Sequence, residues 1–282
     1  MAVMKLTVDH HVHTRYSNCC REDYGLREII ETQIQNGMEY ACVTDHIHSS
    51  RDTAGLSEHH AAYQSLPERL KGIPVYIGAE LTFSSPEGHV PVDTAALEKT
   101  PAFTIGGCHH IPWDSRLTMG DIPGSRAIVA AMNEQSYFEM LKKHHILLKG
   151  AVEKEHIDIL AHPYDFFFRL GIFDTRMLDM FHDIVLLCKK HRVAIEINNA
   201  SAKRCLMEEE RGERFNGSCI SPKSFYSGLI KMAMDEKVPL SPASDAHAQK
   251  DIGYFEDLYP FLLDAGTSNQ HLFRIAKHNI AI

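Results

Sequence analysis

The 282 residues carry 44% hydrophobic and 23% charged side chains, the mix of an ordinary globular chain long enough to bury a core without disulfide staples. Asp and Glu outnumber Lys and Arg by 37 to 29. The net charge of −8 argues against a protein that grips nucleic acid by bulk charge, but leaves anionic substrates open, because bound cations reverse the sign of a local site. Nineteen histidines, against one Trp and seven Cys, are the first sign of metal chemistry.

Seven segments share one pattern, a short apolar or β-branched run that ends in metal-capable residues. In chain order they are 5–13 (KLTVDHHVH), 40–46 (YACVTDH), 74–81 (PVYIGAEL), 102–110 (AFTIGGCHH), 157–163 (IDILAHP), 193–199 (VAIEINN) and 238–247 (VPLSPASDAH). Runs of this length bounded by Gly, Pro or Asp predict buried strands. Helical patterns fill the gaps: 26–36, which stops at Gly37; 57–70, interrupted near Pro67; 125–149, long enough for one or two helices; 177–191; and 224–236. The polar tips recur at intervals of 33 or 34 residues (His13 to His46, His46 to Glu80, His162 to Glu196), about the length of one βα unit. Seven such units predict a distorted (β/α)7 TIM-like barrel, an α/β fold read as a single domain over 1–282. A doubly wound open sheet is the competing fold, but it would leave most strand tips idle.

No signal peptide is expected from residues 1–13, and no run of 18 apolar residues is available to span a membrane. The cysteines (Cys19, Cys20, Cys42, Cys108, Cys188, Cys205, Cys219) are odd in number and include no C-x-x-C, so neither a disulfide framework nor a zinc ribbon is indicated. Cys42 and Cys108 read as small core residues. Together these features favour the cytoplasm.

The strand tips carry the chemistry. His11 and His13 lie two apart on a strand and face one side, while His10 faces the other and reads as packing or surface. Asp245 and His247 repeat that geometry on the last strand. His46, Glu80, His109 and His162 end strands two to five. Six of seven tips thus present an imidazole or a carboxylate. Each alone is more often structural, but the joint pattern predicts a metal centre. Many imidazoles, few carboxylates and no obligatory thiolate suit Zn, Fe or Mn better than Ca or Mg. Eight candidates exceed the needs of one ion, and Glu80 and Asp245 are natural bridges in a cluster of two or three divalent ions. Asp9 and Asp45 are candidates to orient the imidazoles, or else turn and capping residues.

The motifs Asp9-His10-His11-Val12-His13-Thr14, Thr44-Asp45-His46, Gly78-Ala79-Glu80, His109, Ala161-His162-Pro163 and Ser244-Asp245-Ala246-His247 resemble the polymerase and histidinol phosphatase (PHP) superfamily over residues 9–247. The resemblance implies a phosphoesterase on a distorted seven-unit barrel. It assigns His11, His13, Glu80 and Asp245 to one ion, Glu80, His109 and His162 to a second, and His46 and His247 to a third. His11, His13, Glu80, Asp245 and His247 are then the residues expected to carry catalysis, and Glu196-Ile197-Asn198-Asn199 to line the site. Where the family has another His or Asp after the second His of H-x-H, this chain has Cys19 and Cys20. A thiolate could take that role, or Glu22 or Asp23 could reach in.

The expected reaction is hydrolysis of a small-molecule phosphate ester by a metal-bridging hydroxide, which needs no nucleophilic side chain. Histidinol-phosphate phosphatase is the alternative within the family, and an amidohydrolase-type hydrolase is a weaker one, because the fourth tip carries no Lys. Arg15, Arg116, Arg169, Lys203 and Arg204 are expected in loops after strand ends, with Arg169, Arg15 and Arg116 as substrate-binding candidates. The insert 111–124, with the only Trp and two glycines, reads as a lid, a specificity loop or a packed surface loop. The partner expected is a small phosphoester, with no membrane and no stable nucleic-acid binding.

Overall fold

The computed structural model describes residues 4–20, 22–67, 69–83, 85–90, 92–93, 99–111, 113–211 and 220–275. Cys219, named above, and residue 112 of the 111–124 insert lie outside them. Eight short strands are assigned: β1 (Ala41–Val43), β2 (His46–Ile47), β3 (Val75–Ile77), β4 (Ala79–Thr82), β5 (Thr104–Gly107), β6 (Ile159–Leu160), β7 (Ala194–Asn198) and β8 (Leu240–Ala243). All pair in parallel, β1 with β3, and the rest in the order β2-β4-β5-β6-β7-β8. β1 and β2 are two stretches of one expected strand, as are β3 and β4.

Residues 5–13 close the ring. On one flank His10 N–H donates to Pro242 O (3.0 Å), Asp245 N–H to His11 O (3.0 Å) and His13 N–H to Ala246 O (3.1 Å). On the other, Glu39 N–H donates to Thr7 O and Thr44 N–H to Val12 O, each at 2.8 Å. The fold is therefore an α/β barrel of seven parallel strand positions, as the polar tips predicted. Every residue of β1, β3 and β4 to β8 is buried. That is why these strands read as continuous apolar runs and not as alternating ones.

Nine helices lie among the described residues: α1 (Leu26–Gln35), α2 (Ala54–Gln64), α3 (Ile122–Ala130), α4 (Glu134–Lys154), α5 (Asp165–Leu170), α6 (Thr175–His191), α7 (Asn199–Arg211), α8 (Pro222–Asp235) and α9 (Tyr259–Ala265). α1 buries Leu26, Ile29, Ile30 and Gln33, and the Gln33 amide bonds both backbone groups of Cys42 on β1 (2.9 and 3.1 Å). The pattern over 57–70 becomes a helix that stops at Gln64, three residues before Pro67. The stretch 125–149 becomes two helices, because Asn133 accepts from Ser136 N–H (2.9 Å) and starts α4 afresh. α5, α7 and α9 were not expected. Phe168 on α5 packs against Phe173 and against Phe225 on α8, all three buried and each contributing about 1.5–3 kcal/mol by burial. Among the described residues no helix is long and apolar enough to cross a membrane.

Candidate metal centre

Register puts the ligand candidates on one face. Val12 pairs with Ala246, so the residues on either side of that bridge, His11 and His13 on one strand and Asp245 and His247 on the other, project together into the barrel mouth. His46 pairs with Glu80 in the β2–β4 ladder, which brings His46 Nδ1 to 2.7 Å from Glu80 Oε2. Glu80 Oε2 also lies 3.1 Å from His11 Nε2 and 3.6 Å from His13 Nε2. Its other oxygen, Oε1, lies 3.1 Å from His162 Nε2 and 3.2 Å from His109 Nε2. Asp245 Oδ1 is 3.3 Å from His13 Nε2. All eight residues singled out in the sequence meet at the mouth.

Their ligand atoms form four overlapping groups with internal separations within 4.8 Å: His11–His13–Asp245, His11–Glu80–His162, His46–Glu80–His109 and His13–His46–His247. Glu80 is wholly buried, yet its Oε2 makes no hydrogen bond. His11 and His13 face each other Nε2 to Nε2 at 3.0 Å. Gly107 completes the cradle: a Cβ there would stand 2.6 Å from Glu80 Oε1 and 3.2 Å from His162 Cε1. An orphaned buried carboxylate oxygen ringed by imidazole nitrogens fits a divalent cation and little else.

The surrounding shell fixes which nitrogen four of the six imidazoles offer. His11 Nδ1–H donates to Glu196 Oε2 (2.8 Å), His13 Nδ1–H to Ser17 Oγ (3.0 Å), and His247 Nδ1–H to the Asp245 carbonyl (2.8 Å). His109 Nδ1 lies 3.0 Å from Thr82 Oγ1. Each leaves Nε2 as the ligating atom. Ser17 in turn donates to Asp45 (2.6 Å), which also binds His59 (2.6 Å) and Thr14, so Asp45 orients His13 through one hydroxyl. Asp9 does something different: it accepts from Ser244 and from Gly253 N–H, clamping the loop that carries Asp245. Asp245 (φ 56°) and His162 (φ 26°) both hold left-handed backbone, which costs about 1–3 kcal/mol and persists only where the surroundings enforce it.

Electrostatics agree with the geometry. Burial alone would push the Glu80 carboxyl up, but His46, His11 and His109 beside it hold it well below the usual range. Burial, then the neighbouring His46, pushes His13 down to about 3. Burial likewise takes His109 down to about 4 against the pull of Glu80. Against their own burial, His11, His46, His162 and His247 are raised above the ordinary imidazole value by the neighbouring carboxylates, so the centre as a whole calls for positive charge.

The remaining candidates divide. Arg169 lines the cleft of about 380 Å³ over the centre, together with His48, Thr118, Met119, Gly120 and Asp165. It lies on α5, and Lys203 and Arg204 lie on α7, so these three are helical and not in loops. Arg15 pairs with Asp23, and Arg116 grips Asp114 through Nε and Nη2; both are largely exposed and neither lines the cleft. Cys19 lines the cleft, whereas the Cys20 thiol turns to the carbonyls of Glu22 and His247. Glu22 accepts from Gln249 N–H. Partial burial pushes the Cys19 thiol up, and hydrogen bonding to His247 and His46 outweighs it, bringing the thiol down to about 7. Of the 111–124 insert, 113–121 is a loop anchored by the buried Leu117, whose 118–120 tip reaches the cleft, and 122–124 form the first turn of α3. His10 is a satisfied core residue, bonded to Tyr40 (2.7 Å) and Ser241 (2.9 Å). Ser17, His48, His59 and Thr82 escaped the sequence reading, although His48 and Thr82 each lie two residues after a tip, His46 and Glu80, at the spacing that pairs His11 with His13.

A closed parallel barrel whose mouth gathers six imidazoles and two carboxylates around a carboxylate bridge is the architecture of a metal-dependent hydrolase. The PHP domain model matches residues 9–200, and the chain belongs to the PHP domain family. It is a metal-dependent phosphoesterase whose His and Glu clusters suit two or three divalent ions. A probable phosphatase of Thermoanaerobacter sp. (strain X514) is 24% identical over 264 residues, covering 93% of this chain and 88% of the relative. A probable phosphatase of Vibrio vulnificus (strain YJ016) is 26% identical over 276 residues, covering 98% and 90%. Among solved structures, the histidinol phosphate phosphatase of Lactococcus lactis subsp. lactis Il1403, complexed with Zn, L-histidinol and phosphate, is similar in fold. Its TM-score is 0.64 at 17% identity, with 94% of this chain and 98% of that one covered.

Proposed function

We propose that the chain, as one unit over residues 1–282 acting in the cytoplasm, is a phosphatase of small-molecule phosphomonoesters. The observation that carries this reading is the meeting of a cation-seeking cluster with the Arg169 guanidinium in one cleft, Arg204 lining the cavity beside it. Asp165 is buried and bridges Arg169 (Nε to Oδ2, 2.7 Å) and Arg204. Burial would push the Asp165 carboxyl up, but Arg204 and Arg169 hold it at about 2, so it stays a fixed anion that aims both guanidiniums. Arg169 keeps donors free toward phosphate oxygens beside Asp245 and His247, with which it lines the cleft.

His11, His13, Glu80 and Asp245 would hold one ion; Glu80, His109 and His162 a second; His46 and His247 a third. Bound there, divalent ions neutralise phosphate oxygens and lower the pKa of water to about 7. The protein's own part is positional. Glu196, Ser17 and Thr82 fix the imidazoles, Arg169 and Arg204 orient the phosphoryl group, and the 118–120 tip walls one side of the cleft against solvent.

Of the two substrate readings, L-histidinol phosphate is favoured over an unspecified phosphate ester. Its support is the likeness in fold, over nearly both whole chains, to the Lactococcus lactis histidinol phosphate phosphatase. The test is steady-state hydrolysis by protein reloaded with Zn, Fe(II) or Mn after chelation, on L-histidinol phosphate and a panel of sugar, amino-alcohol and nucleoside monophosphates. A kcat/KM for L-histidinol phosphate well above the panel is expected. Comparable values across the panel would return the assignment to the broader class, and no hydrolysis of any monoester by metal-replete protein would overturn both.

A further inference from the structure

We propose that the Cys19 thiolate is a ligand of the third ion, completing a mixed imidazole and thiolate seat with His46 and His247. The proposal rests on the reading of the mouth as a metal cluster and goes beyond it by naming the donor that makes one seat unlike the others. His13, His46 and His247 bring ring nitrogens within 4.8 Å of one another, the mark of a cation seat. His13, however, already faces His11 at 3.0 Å and Asp245 at 3.3 Å, inside the first group. If His13 belongs there, the third seat keeps two imidazoles and no anion.

Cys19 supplies what is missing. Its thiol lies within hydrogen-bonding reach of both His46 and His247. It also lines the cleft over the centre and the neighbouring cavity that runs past Arg169 and His247. His247 spends Nδ1 on the Asp245 carbonyl, and His46 turns Nδ1 toward Glu80, so each ring has its other edge available. A second observation points to a cation beside this seat: the wholly buried Glu80 Oε2, without a hydrogen bond, is aimed at His46 Nδ1 at 2.7 Å. His46 therefore has a carboxylate at one nitrogen and the Cys19 thiol close by.

The alternatives are occupied elsewhere. Cys20 donates to two backbone carbonyls, Glu22 accepts from Gln249, and Asp23 pairs with Arg15. On coordination the Cys19 S–H bond breaks, the sulfur lone pair binds the ion and the proton leaves to solvent. A thiolate makes this seat soft, favouring Zn or Fe(II) over Mn or Mg.

The test is zinc X-ray absorption, with metal content measured in parallel, on the full chain, Cys19→Ser and Cys20→Ser. A zinc–sulfur shell at about 2.3 Å is expected in the parent and in Cys20→Ser. It should be absent from Cys19→Ser, which should also lose one zinc equivalent on dialysis. Cobalt-loaded protein should show thiolate-to-cobalt charge-transfer absorption with the same dependence. A parent with no sulfur shell, or a shell that survives in Cys19→Ser, overturns the proposal. Such protein would still hydrolyse phosphoesters, so this failure is distinct from that of the phosphatase reading, in which metal-loaded protein turns over nothing.

Discussion

Two regions of this barrel bury histidine, and they treat it in opposite ways. Behind the sheet, His144 on α4 is wedged among Tyr164 and Phe167, with ring centroids at 5.4 and 4.8 Å, and burial drives it down to about 3. At the mouth, His11 is as fully buried, but Glu80, Glu196 and Asp245 overcome the desolvation and raise it well above the ordinary value. Burial alone makes an imidazole a neutral packing group. Burial beside carboxylates makes it part of a site that demands cations. The contrast extends to neighbours in sequence, for His10 spends both nitrogens on Tyr40 and Ser241 while His11 keeps one for the centre.

The contrast can be broken most severely at its carboxylate. Glu80→Gln keeps the shape and removes the charge shared by five imidazoles. Turnover should fall to background and the bound metal measured by mass spectrometry should drop; full metal content with full activity would refute the assignment. Arg169→Met comes next. Losing a charge-assisted contact of about 1.5–3 kcal/mol should lower kcat/KM by roughly 10- to 150-fold with metal content unchanged. Ser17→Ala removes the relay from Asp45 to His13, and metal affinity, read by competition with a chelator, should fall by about 10- to 100-fold, toward the lower end.

The smallest effect lies behind the sheet. His144 has a folded value of about 3 against 6.5 unfolded, so the unfolded chain binds the extra proton. Its contribution is complete above about 6.5 and is lost as pH falls toward 3. His144→Leu, compared with the parent in chelator, should therefore lose less Tm between pH 7 and 5. Identical pH dependence would show that His144 does not stay neutral on folding.

The strands and the eight ligand candidates were legible because each tip carries its own local signal, an apolar run ending in His, Glu or Asp. The supporting shell was legible only in part: Asp45 and Glu196 were candidates, but not the imidazole each one serves. Glu196 lies 185 residues from His11, and the Ser17–Asp45–His59 chain joins a turn, a strand tip and a helix. α5 was missed because DFFFRL is buried at almost every position and shows no period, and α7 because it starts directly after Asn198, where Asn-Asn reads as a turn. With those helices unseen, Arg169 and Arg204 were placed in loops, and the wall they form around Asp165 could not be foreseen.

The ring is fastened along a narrow seam. Three backbone hydrogen bonds tie residues 10–13 to the last strand, and the same few residues carry His11, His13 and Asp245. Metal loading therefore acts as a clasp joining the first strand to the last. Stripped of its ions, the barrel should loosen there first, with the amides of His13 and Asp245 exchanging with solvent before those of the β7–β8 ladder beside them.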